Sequence, residues 1–431
     1  MKKTDNEVQE ILSEFALGRL SRRQALRALG IGGVAALGSS AWPLIGGSAF
    51  ADEAGKKPGP GGIPLARPNM PVKLPLHGDP IKAGLKPESG TFKIYNYQDY
   101  VDQKVMDSFA KKYNVKVELT TFDSMDQAVT RMATGQVKPD STNLTPDRMA
   151  QMVAGKLLRP LNKDYIPNLA ANIWPALQDP YYDQGAQYSV PYVVYTSGIG
   201  WRSDKVKEDI HKLDNPWSIF WNAQAYTGYV GVLDDSREAL SLGMMYKGQY
   251  DLNTEDADVI NGSLAELQKM VPICHPKIDI KEYQQLGDAS SYLHHSWSGD
   301  LISCAINYLA KGTDPTVLQY WAGGVGKTPV QNDTWVLLAH SQKPVLGHLW
   351  LNHLLDEQVA YDNFVGFTAY QPPQNKINAD DLIKAGTIPE TLRTAILKPE
   401  DLGPTSAQHG ALTPAGLKLW QNAYAKFNSG A

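Results

Sequence analysis

The stretch FKIYNYQDYVDQKVMDSFAKKYNVKVEL, Phe92 to Leu119, decides the fold class. Turn chemistry at Ser89-Gly90 precedes it, and Phe92, Ile94 and Tyr95 read as a buried strand. Val101, Val105, Met106 and Phe109 then fall on one helical face. In VKVEL the residues Val115, Val117 and Leu119 alternate as a second strand. A helix over Met125–Met132 follows, and then LTPDRMAQMVAGKLL. There Thr145 suits a helix N-cap, Pro146 the first helical position, and Gly155 the stop. Strand, helix, strand, helix, helix argues for an α/β fold with a mainly parallel sheet.

A second region of this kind runs from about 195 to 330. YVGVLDD, Tyr229 to Asp235, is a strand ending in two acids. SREALSLGMMYKG reads as a helix with Leu240, Met244 and Met245 inward, and EDADVINGSLAELQKM as a long helix. Ligands of parallel α/β sheets sit outside the carboxyl ends of the strands. Two such regions with those ends facing each other would make a cleft.

The remaining chain frames these regions. With 431 residues, 42% hydrophobic, 20% charged and a net charge of −4, the chain is of ordinary globular composition and sized for two or three domains. It lacks the basic patch that nucleic acid requires. Its 10 Trp and 21 Tyr outnumber 9 Phe, and aromatics with a polar edge suit a wet binding cleft. Residues 1–51 resemble a twin-arginine export signal. Arg22-Arg23 precede a Gly- and Ala-rich apolar stretch, Ala25 stands where Phe is often found, and Ala49-Phe50-Ala51 supplies a cleavage site. No Cys stands near that site, so an exported protein without a lipid anchor is expected, in the periplasm. No other segment is apolar enough to span a membrane. Residues 52–90 carry eight Pro from Pro58 to Pro87 and read as an extended arm, partly disordered, laid over the first lobe. Cys274 and Cys304 could pair in an oxidising compartment or remain buried thiols.

Several apparent motifs fail on inspection. AGGVGKT, Ala322 to Thr328, lacks the first Gly of a phosphate loop, having Trp321 there, and Pro329 blocks the helix such a loop needs. It reads as a hairpin turn. His294-His295 and His348/His353 have no metal-ligand spacing, so no metal is expected. No nucleophile elbow is present, and no catalytic residue or cofactor is expected. What remains is a set of acid-and-aromatic clusters at element ends: Tyr97-Gln98-Asp99-Tyr100, Asp234 to Glu238, Ser296 to Asp300, and Gln331 to Trp335. Each alone reads as a cap or solvated turn, and Asp235 and Ser236 look like caps. Together they suit a cation, which rings attract and carboxylates neutralise.

IYNYQDYV, VPYVVYTSGIGW, GVLDDSREAL, SWSGD and FTAYQPPQN, in this order, resemble the periplasmic polyamine-binding proteins of bacterial ABC transporters. The resemblance covers about residues 91 to 425. It implies a two-lobed type II periplasmic-binding-protein fold, each lobe a mainly parallel sheet flanked by helices, hinged by crossing strands. Lobe 1 would comprise 91–194 plus about 333–375, and lobe 2 would comprise 195–331 plus about 376–431. The crossings would lie in VPYVVYTS and around Gln331-Asn332. The family's ligand residues fall on Tyr97, Tyr100, Asp235, Glu238, Trp297 and Asp333, with Thr142 in place of a Ser. Two positions depart: Leu144 replaces a Tyr and Gln331 a Trp. The slot is less aromatic for it, leaving spermidine, putrescine and other organic cations equally open.

The expected function is capture of a polyamine or related organic cation by a monomeric exported protein, for uptake through a membrane ABC permease. Two alternatives stand beside it. One is the same fold binding ferric ion or an anion, for which Tyr181-Tyr182 is the only adjacent tyrosine pair. The other is an exported, cofactor-containing enzyme.

Overall fold

A computed structural model describes residues 58–430. The signal residues Arg22, Arg23 and Ala51 lie outside the described residues. The first strand, β1 (Thr91–Tyr97), leads to α1 (Gln103–Tyr113), capped by the Asp102 carboxylate. Strand β2 (Lys116–Phe122) and α2 (Met125–Ala133) follow as the pattern predicts. A four-residue strand too short to show a period, β3 (Ser141–Leu144), then precedes α3 (Pro146–Ala154). Thr145 holds the N-cap position of α3, but its hydroxyl bonds the Asp147 carboxylate instead of a helix N–H.

The long strand β4 (Ser189–Arg202) opens the second region. It contains β5 (Val230–Leu233), α4 (Ser236–Tyr246), α5 (Ala257–Cys274), β6 (Lys277–Asp279) and β7 (Leu293–Trp297). Strands β8 (Leu318–Trp321) and β9 (Val330–Leu337) return the chain, and helix α6 (Pro414–Asn428) ends the described chain.

The strands form one open sheet in the order β2-β1-β3-β9-β4-β7-β5-β6, with β8 also on β4. Its two ends are parallel: β1 pairs in parallel with β2 and β3, and β5 with β6 and β7. Between them β9 and β4 run antiparallel. Residues 189–196 of β4 pair with β9, and residues 197–202 with β7 and β8. One strand therefore passes from one half to the other near Thr196-Ser197. Gln371 also joins β4 on the first half's side, its carbonyl accepting from Val194 N–H at 2.7 Å. This is a two-lobed α/β architecture joined by crossing strands.

Each half has a core on either face of its sheet. Phe92 and Ile94 face one core with Trp335 and Trp350, while Tyr95 faces another with Phe122, Met149 and Val153. This is the two-residue period of a strand at work. In the second half α4, α5 and α6 cover Ile199 and Trp201, while Leu301 and Tyr320 pack on the opposite face. Cys274 and Cys304 are free and belong to different cores. Leu397 and Leu402, far along the chain, pack into the first core.

Two readings change. Residues 322–329 are not a hairpin turn. Strands β8 and β9 pair in succession with the same β4, so the segment is an excursion between them. The described part of the arm, residues 58–90, packs on the rest of the chain, and residues 52–57 lie outside the described residues. Ile63, Ala66 and Leu74 enter the core that holds Tyr95, and Val72 exchanges backbone hydrogen bonds with Tyr181 and Gln184. Proline removes donors but leaves carbonyls, which Gln187 and Tyr188 side chains satisfy at Leu74 and Pro75. Among the described residues no helix is long and apolar enough to cross a membrane.

Candidate ligand site

Tyr97 ends β1, and Asp99 turns the chain with φ 54°. That turn stands the Tyr97 and Tyr100 rings edge to face, 5.7 Å apart. Tyr100 continues a chain of rings: Tyr370 lies 5.1 Å away, Tyr195 a further 5.6 Å from Tyr370, and Trp297 6.3 Å from Tyr195. Tyr192 backs Tyr100 at 5.6 Å and donates its hydroxyl to the Tyr100 carbonyl.

One acid bridges the middle of this chain, between Tyr100 and Tyr195, and another sits at its Trp297 end. Asp333, on the crossing strand β9, accepts from the Tyr100 phenol at 2.9 Å and from the Tyr195 phenol at 3.2 Å, one on each oxygen. Burial pushes its pKa up to about 7, against the pull of these two hydrogen bonds. Glu238, in the first turn of α4, accepts on Oε1 from Ser197 Oγ at 2.9 Å and Trp297 Nε1 at 3.2 Å. Burial, and next the charge of Asp235, push it up to about 8.

Two histidines approach Glu238, each at 3.8 Å: His295 Nε2 from Oε2 and His409 Nδ1 from Oε1. Burial drives His295 down to about 3 and His409 well below its usual range, so both are neutral near pH 7. Among the described residues neither Glu238 nor Asp333 is ion-paired to lysine or arginine. The arrangement is two buried acids, served by neutral donors and separated by aromatic faces.

The structure thus brings together Tyr97, Tyr100, Glu238, Trp297 and Asp333. Asp235 adjoins them with one oxygen committed, since Oδ1 caps α4 by accepting from Arg237 and Glu238 N–H. Thr142 stands apart. It is fully buried, and its hydroxyl donates to the Tyr95 and Asn143 carbonyls. The register places it on Tyr95's face of the sheet, while Asn143 pairs with Trp335 on the face that Asp333 shares. At the departing positions, Leu144 packs in the core with Tyr95, and Gln331 accepts from His409 N–H.

Sequence reasoning did not single out Tyr192, Tyr195, Ser197, Tyr370, His295 or His409. Tyr195, Ser197 and Tyr370 lie inside the motifs VPYVVYTS and FTAYQPPQN. His295 stands out in the sequence only as a metal-ligand candidate beside His294, and nothing local marks His409. Among the described residues no group of three His, Cys, Asp or Glu could hold a metal. Burial raises the Tyr181 and Tyr182 phenols above their usual range.

The profile of the bacterial extracellular solute-binding protein family matches residues 104–390. A putrescine/agmatine-binding protein of Pseudomonas aeruginosa is 25% identical over 286 residues, 64% of this chain and 76% of that one. The spermidine/putrescine-binding periplasmic protein of Escherichia coli is 25% identical over 191 residues, 43% of this chain and about half, 52%, of that one. In structure, a putative spermidine/putrescine ABC transporter protein from Listeria monocytogenes superimposes with a TM-score of 0.64 at 20% identity. It covers 79% of this chain and 99% of its own. PotD of Streptococcus pneumoniae gives 0.60 at 20% identity over the same shares. These structures speak to the fold alone.

Proposed function

Since the chain belongs to the bacterial extracellular solute-binding proteins, we propose that it captures a polyamine, or a related organic cation with two charged ends, for uptake through an ABC permease. One observation carries this: among the described residues, Glu238 and Asp333 are buried acids with no lysine or arginine paired to them, joined through Trp297, Tyr195 and the Tyr100–Tyr370 pair. An anion would meet two carboxyl groups, and a neutral solute would do nothing to favour their ionised forms. An ammonium at each end would let both ionise and would form charge-assisted hydrogen bonds, while the rings cover the methylenes between. The names of the relatives from P. aeruginosa and E. coli favour the same reading.

The mechanism would be closure of the lobes about β4 near Val193–Tyr195 and β9 near Gln331–Asn332, which excludes water from charge on charge. The proposal includes twin-arginine export to the periplasm with cleavage after Ala51. Native mass spectrometry of the exported protein tests both parts. The expected result is a chain starting at Asp52 with a bound amine that is lost on unfolding. A neutral or anionic passenger would refute the ligand class, and an uncleaved chain the export route.

A further inference from the structure

The N-terminal arm touches more than the core it covers. Ile63 and Ala66 pack with Met149 and Val153 of the first half, while the next residue, Arg67, reaches the C-terminal segment 407–412. Its Nη1 donates to the Ala411 carbonyl at 2.9 Å and to the Ala66 carbonyl at 2.7 Å. The fit at Gly410 is tight, for a Cβ there would lie 2.8 Å from Arg67 Nη1 and 2.9 Å from the Ala66 carbonyl. The second half holds the same segment from the other side. Asn253 bonds the Gln408 carbonyl and the Gly410 N–H, and Arg237 bonds the Gly410 carbonyl. Arg67 also shares a cavity with Asp251 and Glu255; burial lowers its pKa, and the charges of these acids offset part of that.

Segment 407–412 carries His409, which stands 3.8 Å from Glu238 and bonds Ser241. Its backbone also joins the crossing strand, at Val330 through Ala407 and at Gln331 through His409. It is therefore gripped by both halves beside the candidate site, and one of its holds comes from the arm.

We propose that Arg67 is a positioning residue for the ligand site: it straps segment 407–412 to the first half, setting His409 against Glu238 and slowing release of the ligand. The slowing of release rests on the function proposed above, whereas the strapping does not. The test uses the full mature chain in wild type, Arg67→Ala, Arg67→Lys and Gly410→Ala. The last keeps the arginine but crowds its guanidinium and the Ala66 carbonyl away from the segment.

Hydrogen exchange without ligand reads the strap. Arg67→Ala and Gly410→Ala should speed exchange in 407–412 about tenfold, the order expected for losing a hydrogen bond to a charged group, and leave β1 unchanged. Stopped-flow with putrescine reads the coupling. Dissociation should speed about tenfold while association stays within about twofold, with Arg67→Lys restoring part of the loss. Unchanged exchange in a folded Arg67→Ala overturns the strap. Faster exchange with unchanged release overturns its link to the site. If wild type binds no putrescine, the functional reading fails, and the exchange data still decide the strap.

Discussion

The Tyr100 phenol donates to Asp333 Oδ2 across 233 positions of sequence. Tyr100 follows the first strand, and Asp333 lies on the strand that crosses between the halves. The bond ties the aromatic wall to the crossing strand.

The buried acids predict a pH dependence. Asp333 and Glu238 are raised to about 7 and about 8. Between the ordinary carboxylate range and these values the folded chain holds protons that the unfolded chain has released. Stability without ligand therefore falls as pH rises through that window. Above about pH 7 the buried histidines are neutral in both states and add little. Thermal melts from about pH 7 to about pH 8.5 should fall more steeply in wild type than in the Glu238→Gln/Asp333→Asn double variant. Amine affinity should run the other way, about tenfold or more weaker near pH 6 than near pH 8. A flat affinity profile would contradict the ionisation argument.

Trp297 both lines the ring chain and donates to Glu238. Trp297→Phe keeps a ring but loses the donor, and should weaken diamine binding by about 1 kcal/mol. Trp297→Ala loses both and should cost about 2 kcal/mol or more. Equal losses in the two variants, read by calorimetry, would show that the indole N–H is irrelevant.

Much of the fold was legible because its signals are local. The alternation at Phe92, Ile94 and Tyr95 and the helical face at Val105, Met106 and Phe109 match the observed elements. Strand β3 escaped because four residues show no period, and all four are buried. The 322–329 excursion looked like a hairpin because its partner, β4, lies more than a hundred residues away. The arm's order could not be read, since its partners, such as Tyr188 and Ala411, come from distant positions. At the site, residues in compact acid-and-aromatic motifs were visible. His409 was not, because only the return of the C-terminal segment beside β9 brings it to Glu238.

Closure should be visible as compaction. If β4 and β9 hinge the halves, putrescine should reduce the radius of gyration in small-angle scattering. At 100 times the dissociation constant it should also stabilise the fold by about 2.7 kcal/mol. Stabilisation without a change in scattering would argue for binding to a rigid cleft.

Whether Glu238 and Asp333 neutralise the two ends of a cation is decided by titration calorimetry with putrescine and spermidine. Wild type should bind at least one of these amines. Glu238→Gln and Asp333→Asn should each weaken binding by about 2–4 kcal/mol, the cost of leaving a buried charge unpaired, while both variants stay folded. Wild-type protein that binds neither amine but takes a neutral or anionic solute, or variants that bind amines as tightly as wild type, would contradict that role.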